Sequence, residues 1–133
     1  MNIQLRDGLP HITASLTYQG RQLPFENALL DTGSAGTIFS TDRVLTIGLT
    51  YEPDDMVHRI RGVGGTEFVF TKQVDRLTVG KLQVNNFPIE VGAMEYGFDI
   101  DGIIGMDFLI QVGAIIDLAK LEIYPANKGQ LKT

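Results

Sequence analysis

Apolar and polar positions alternate with a period of two along much of the chain, most cleanly at Ile12, Ala14, Leu16 and Tyr18. That period turns successive side chains to opposite faces of an extended strand, one buried and one wet. It predicts strands over about residues 10–18 and 22–30, joined through a hairpin turn at Gln19-Gly20-Arg21. Thr37-Ile38-Phe39 reads as a further short strand, with Thr41 or Asp42 capping a brief helical turn over Arg43, Val44 and Leu45. Residues 51–56 form a polar loop. Apolar segments at 56–60 and 68–70 flank RGVGGTE, the pattern of a long hairpin with a glycine tip. A second hairpin joins 77–79 to 82–84 through Gly80-Lys81, and residues 86–91 prolong its return strand. The stretch IDGIIGMDFLIQVGAIIDLAKLEIYP predicts an apolar pair, Ile103-Ile104, a glycine, a helix of about two turns, and two closing strands around Ala119-Lys120. The tail from Ala126 is expected to fray.

The domain therefore reads as mostly β. An apolar pair followed by a tight small-residue turn occurs twice, at Leu29-Leu30-Asp31-Thr32-Gly33 and at Ile103-Ile104-Gly105, a weak internal echo of approximate symmetry. With 133 residues and 44% apolar content the chain fits one domain, with a core over about 10–125 and a polar tail at 126–133. No apolar run reaches the length of a membrane-spanning helix, and MNIQLRDGLPHI lacks the basic start and apolar block of a secretory signal, so a cytoplasmic location is expected. The absence of cysteine removes disulfides, thiolate metal sites and cysteine nucleophiles. A net charge of -5 with scattered lysines and arginines argues against nucleic acid or an anionic membrane as partner.

Chemistry concentrates at ALLDTGSAG, residues 28–36. Driving Asp31 into place straight after Ala28, Leu29 and Leu30 costs on the order of several kcal/mol unless partners compensate the charge. Two carboxylates sharing one proton around a water molecule can hydrolyse a peptide bond without metal or cofactor, one as base and the other as acid. Each needs a glycine-lined turn whose backbone N–H groups reach it. DTGSAG resembles the active-site turn of aspartic proteases, and one such turn in a chain of this length resembles the single-domain retroviral type, the retropepsins, and their bacterial relatives. RGVGG is similar to the flap of that family, and IIGMDFLIQVGAIIDLAKLEIY to its apolar-apolar-Gly strand, short helix and final strand.

The resemblance implies a closed or partly open acid-protease β-barrel with a flap hairpin and one short C-terminal helix. It implies an aspartic endopeptidase with Asp31 as catalytic carboxylate. Thr32 would place its hydroxyl across a subunit boundary, and Gly33 would present its N–H to the carboxylate. It also implies that Ser34 stabilises the ionised carboxylate and lowers the working pH. Val63, Gly64 and Gly65 would reach over the bound peptide, and Ile104 and Gly105 would line the floor. Because the chain holds one copy of the turn, the dyad calls for a homodimer with Asp31 of each chain facing its mate, a peptide or protein as substrate, and a bell-shaped pH profile.

Other constellations favour structural roles. Asp99, Asp101, Asp107 and Asp117 lack a following Thr-Gly or Ser-Gly, with Asp101-Gly102 reading as a turn, Asp107 as the first turn of the helix and Asp117 as a strand end. Ser34 misses the nucleophile-elbow spacing, and RGVGG lacks the Gly-Lys-Ser/Thr of a P-loop. Asp54 and Asp55 with His58 read as a polar surface loop rather than a metal site, and Asp99-Ile100-Asp101-Gly102 lacks the remaining ligands of a calcium loop. A non-catalytic dimerisation or peptide-binding module of the same fold is the alternative, since fold does not fix function.

Overall fold

The structure is a computed structural model that describes residues 1–62, 65–95 and 99–127. In chain order the elements are β1 (Gln4–Arg6), β2 (Leu9–Tyr18), β3 (Arg21–Leu30), β4 (Ile38–Ser40), α1 (Thr41–Leu45), β5 (Val57–Gly62) and β6 (Gly65–Val79). These are followed by β7 (Leu82–Gly92), β8 (Gly102–Ile104), α2 (Met106–Gln111), β9 (Ala114–Asp117) and β10 (Glu122–Pro125). The fold is mostly β, as the alternation predicts, and carries two short helices.

The pairing order β2-β3-β8-β4-β7-β6 returns to β2 through a β2–β6 pairing, so six strands form a ring. β1 and β5 flank it, each bonded on one side. Inside lie Phe25, Phe39, Phe108, Leu16, Leu77, Ile89 and Ile104, all fully buried. The β2–β3 hairpin turns at Gln19 and Gly20, both with positive φ (49° and 79°), the mirror-type turn that matches strand twist. Arg21 already belongs to β3. α1 starts from Ser40 with no side-chain cap, so Thr41 and Asp42 lie inside the helix rather than capping it.

β6 departs from the sequence expectation. It is one strand of fifteen residues, where the sequence places 68–70 and 77–79 in two separate hairpins. Lys72 and Val74 are buried while Gln73 and Asp75 are exposed, and the two-residue period shifts phase by one at Asp75 and Arg76, both exposed, before Leu77 and Val79 are buried again. A buried lysine disguises that period, and it is tolerated because Asp55 Oδ2 (2.6 Å) and Glu52 Oε1 (2.9 Å) meet its Nζ. Near the tip, Arg61 pairs with Thr66 and Gly62 with Gly65; Val63 and Gly64 lie outside the described residues.

β9 and β10 form a separate hairpin. The first residues lie beside β10: Ile3 N–H donates to Leu121 O (2.7 Å) and Ile123 N–H to Met1 O (2.9 Å). Ala126, expected to fray, donates its N–H to Gly113 O (2.9 Å), while residues 128–133 lie outside the described residues. Among the described residues no helix is long and apolar enough to cross a membrane.

Candidate active site

The internal echo is a physical pairing. β3 and β8 run parallel with Leu29 opposite Ile103 and Leu30 opposite Ile104. Asp31, the next residue, donates its N–H to Ile104 O (3.0 Å). The chain then turns: Ser34 N–H donates to Asp31 O (3.2 Å), and Gly33 N–H donates to Asp31 Oδ1 (2.9 Å). Asp31 is half-buried, whereas Thr32 and Gly33 are exposed. The Gly33 N–H thus meets the carboxylate as the DTG pattern implies. A Cβ at Gly33 would stand 3.2 Å from Asp31 Oδ1, so the residue type also keeps space beside the acid.

The underside of the turn is held by α2. The first N–H groups of a helix have no partner within it, and α2 has no side-chain cap. Instead Met106 N–H donates to Ser34 O (2.8 Å) and Asp107 N–H to Ala35 O (3.2 Å). Such close approach requires Gly105: a Cβ there would strike Gly36 O and stand 2.8 Å from Ser34 O. Thr37, fully buried, completes the clamp. Its Oγ1 donates to Asp107 Oδ1 (2.7 Å) and accepts the Gly105 N–H (3.1 Å), while Asp107 Oδ1 also accepts the Phe108 N–H (2.8 Å). Asp107 is therefore structural, as the sequence suggests. The sequence reading missed Thr37; its signal was a threonine at the point where the small-residue turn re-enters an apolar strand.

Three expectations need correction. Ser34 Oγ donates to Gly36 O (2.8 Å), not to Asp31, which removes the stated reason for a lowered working pH. Ile104 reaches the turn through its carbonyl while its side chain is sealed in the core, so it does not line a floor. Its neighbour Ile103, with Leu29 and Ile60, is half-buried against a separate cluster of Ile38, Val69, Met94 and Ile100. Asp101-Gly102 is no turn either, because Gly102 opens β8 and Asp101 is buried, with its N–H on Asn27 O (3.1 Å) and its O accepting from Ser40 N–H (3.1 Å). Asp101 Oδ1 lacks a hydrogen-bond partner. Burial pushes the Asp101 pKa up, against the opposing pull of Arg43, whose Nη1 is 3.8 Å from Oδ2.

Two further ion pairs bear on the long hairpin. His58 Nε2 lies 3.1 Å from Glu90 Oε1. That oxygen also stands 3.3 Å from where a Cβ on Gly36 would be, so the hairpin strand β5 is linked through Glu90 to the turn. Lys72, Asp55 and Glu52 form the second group. Burial alone would lower the Lys72 pKa, but its bonds to Asp55 and Glu52 outweigh that and raise it; the Lys72 bond in turn lowers the Asp55 pKa. The His58 contact is ionic only when the ring is protonated, and no cluster able to hold a metal ion occurs among the described residues.

A family model described as aspartyl protease matches residues 14–108, well over half of the chain, and the chain belongs to that family. The match spans the turn, the long hairpin and β8 through to Phe108. No curated protein matches the sequence.

Proposed function

We infer that the chain is an aspartic endopeptidase working as a homodimer. The observation that carries this reading is the half-buried Asp31, with the Gly33 N–H on Oδ1, in a turn clamped from below by α2. One carboxylate of that kind cannot be both base and acid in the same step, and each chain has one DTG turn. Two copies related by a two-fold axis supply the pair. One Asp31 removes a proton from water, the water oxygen bonds to the scissile carbon, and the other Asp31 protonates the carbonyl oxygen. Collapse of the adduct breaks the C–N bond, and the leaving nitrogen takes a proton from the dyad. Thr32, exposed and without a hydrogen bond among the described residues, fits a contact with the partner turn. The hairpin tip, Val63, Gly64 and Gly65, covers the peptide, and Ser34 and Gly105 shape the turn beneath it.

The test is mass spectrometry of a diverse peptide mixture incubated from acidic to neutral pH with the native chain and with Asp31→Asn. Cleavage by the native chain and a loss of at least about 10³-fold in the variant is expected, in line with removal of a unit catalytic group. Peptide binding by a folded dimer with no turnover at any pH would favour the binding-module reading instead.

A further inference from the structure

A cavity of about 670 Å³ opens beside the β2–β3 strands, lined by Arg6, Asp7, Leu9, His11, Asn27 and Asp99. Its size is that of a ligand pocket. It bears on the turn through strand register: His11 is paired with Leu29, two residues before Asp31, and Asn27 is four residues before it. Strand rise puts these levels at about 7 and 13 Å from Asp31 along β3.

His11 marks this as more than a cluster of surface charges. It is 4% exposed. Its Nδ1 lies 2.9 Å from Leu9 O, and since a carbonyl only accepts, Nδ1 carries the proton. In the neutral form of the ring Nε2 is then an acceptor, with no partner among the described residues. His11 itself lines the cavity. Around it the Arg6 guanidinium is already engaged, with Gln4 Oε1 (2.7 Å) and Glu26 O (3.5 Å). Asp7 and Asp99 have no cationic partner among the described residues. The wall of the cavity thus sets two carboxylates without a cationic partner against the single guanidinium of Arg6, beside His11, Asn27 and the partly exposed apolar side chain of Leu9.

We propose that this cavity is a substrate subsite for a basic side chain, lysine above all, with the ammonium between Asp7, Asp99 and His11 Nε2 and the methylene stem along Leu9. The chemistry is that of a donor-only cation on an apolar stem meeting a wall whose two carboxylates outnumber its one guanidinium. The placement rests on the endopeptidase reading: an extended peptide rises about 3.4 Å per residue, so the basic residue falls about two to four positions from the bond that is cut.

Two measurements test this, one of them independent of catalysis. The first uses Asp31→Asn protein, titrated with Nα-acetyl-lysine amide and with Nα-acetyl-norleucine amide while the histidine ring ¹⁵N signals are followed; with only two histidines in the chain, His58→Gln identifies those of His11. The lysine amide is expected to shift the His11 signals, the norleucine amide is not, and Asp99→Asn or Asp7→Asn is expected to weaken the response about tenfold. Equal responses to the two amides, no response to the lysine amide, or a stronger response to Nα-acetyl-glutamate amide would overturn the proposal. The second compares kcat/KM for peptides with lysine or norleucine two, three and four residues from the cut. A ratio of about ten or more in the native chain, falling toward one in Asp99→Asn, is expected; a ratio near one in the native chain overturns it. If the native chain cleaves nothing, the endopeptidase reading fails while the amide titration still decides the subsite.

Discussion

Gly105 shows what a single hydrogen atom in place of a methyl group does here. Its N–H, Thr37 Oγ1 and the carbonyl oxygens of Ser34 and Gly36 meet where no Cβ fits. Gly105→Ala is expected to cost about 1–3 kcal/mol by overpacking against backbone that cannot rotate away, and to lower kcat more than it raises KM because the turn itself shifts; urea unfolding and peptide kinetics check both parts. Asp101 is the opposite case, a group whose ionised form the fold disfavours. Its pKa is raised by burial, so it costs stability as pH rises above the unfolded value of 3.8, and Asp101→Asn removes that cost. The variant's urea midpoint is expected to exceed the native one near neutral pH, with the gap closing as pH falls toward 3.8. These residues also mark what could be read from the chain in advance. Asp31 and Gly33 were legible because a polar residue in an apolar strand followed by small residues has few physical explanations. Thr37 and the inward carboxylate of Asp101 were not, since their roles arise from partners distant in sequence, Asp107 for the one and the backbone of Ser40 and Asn27 for the other.

At the scale of elements, strands with clean alternation, β2 and β3, were legible to within a residue or so, and β6 was not. The sequence alone puts 68–70 and 77–79 in different hairpins; the fold joins them and buries Lys72 by bringing two acids from the loop before β5. That loop is consequently fastened to the wall. Lys72→Met keeps the buried stem and removes the charge, so the expected result is a nearly unchanged core with faster amide exchange over residues 51–56. The ion pair in the native chain also sets a pH window. Asp55, with a lowered pKa, gives up its contribution as pH falls below 3.8 and through its folded value, and Lys72, with a raised pKa, gives up its own as pH climbs past 10.5. Denaturant midpoints measured across pH should show both losses in the native chain and neither in Lys72→Met.

For the whole molecule, the proposed dyad is a property of two chains, and this can be tested by poisoning. Mixing native protein with an excess of Asp31→Asn should convert active dimers to half-sites and suppress cleavage beyond simple dilution, whereas a site complete in one chain would lose nothing. The terminal segments enter here too. Residues 1–3 pair with β10 inside one chain, and Thr32 and Ile110 of α2 are exposed, so the proposed dimer is assigned to those two surfaces. The long strand β6 has a mechanical consequence of its own. From Phe70 onward it is braced by β7, and by β2 further along; before Phe70 it has β5 alone. Phe70 pairs with Val57 on one side and Val91 on the other, and its ring meets that of Tyr51 at 5.6 Å. The hairpin is therefore a cantilever whose root runs from Phe70 back through the buried Val69 to Glu67, whose Oε2 accepts the Met94 N–H (3.2 Å). Its stiffness is set there, together with Tyr51 and the loop that Lys72 ties down.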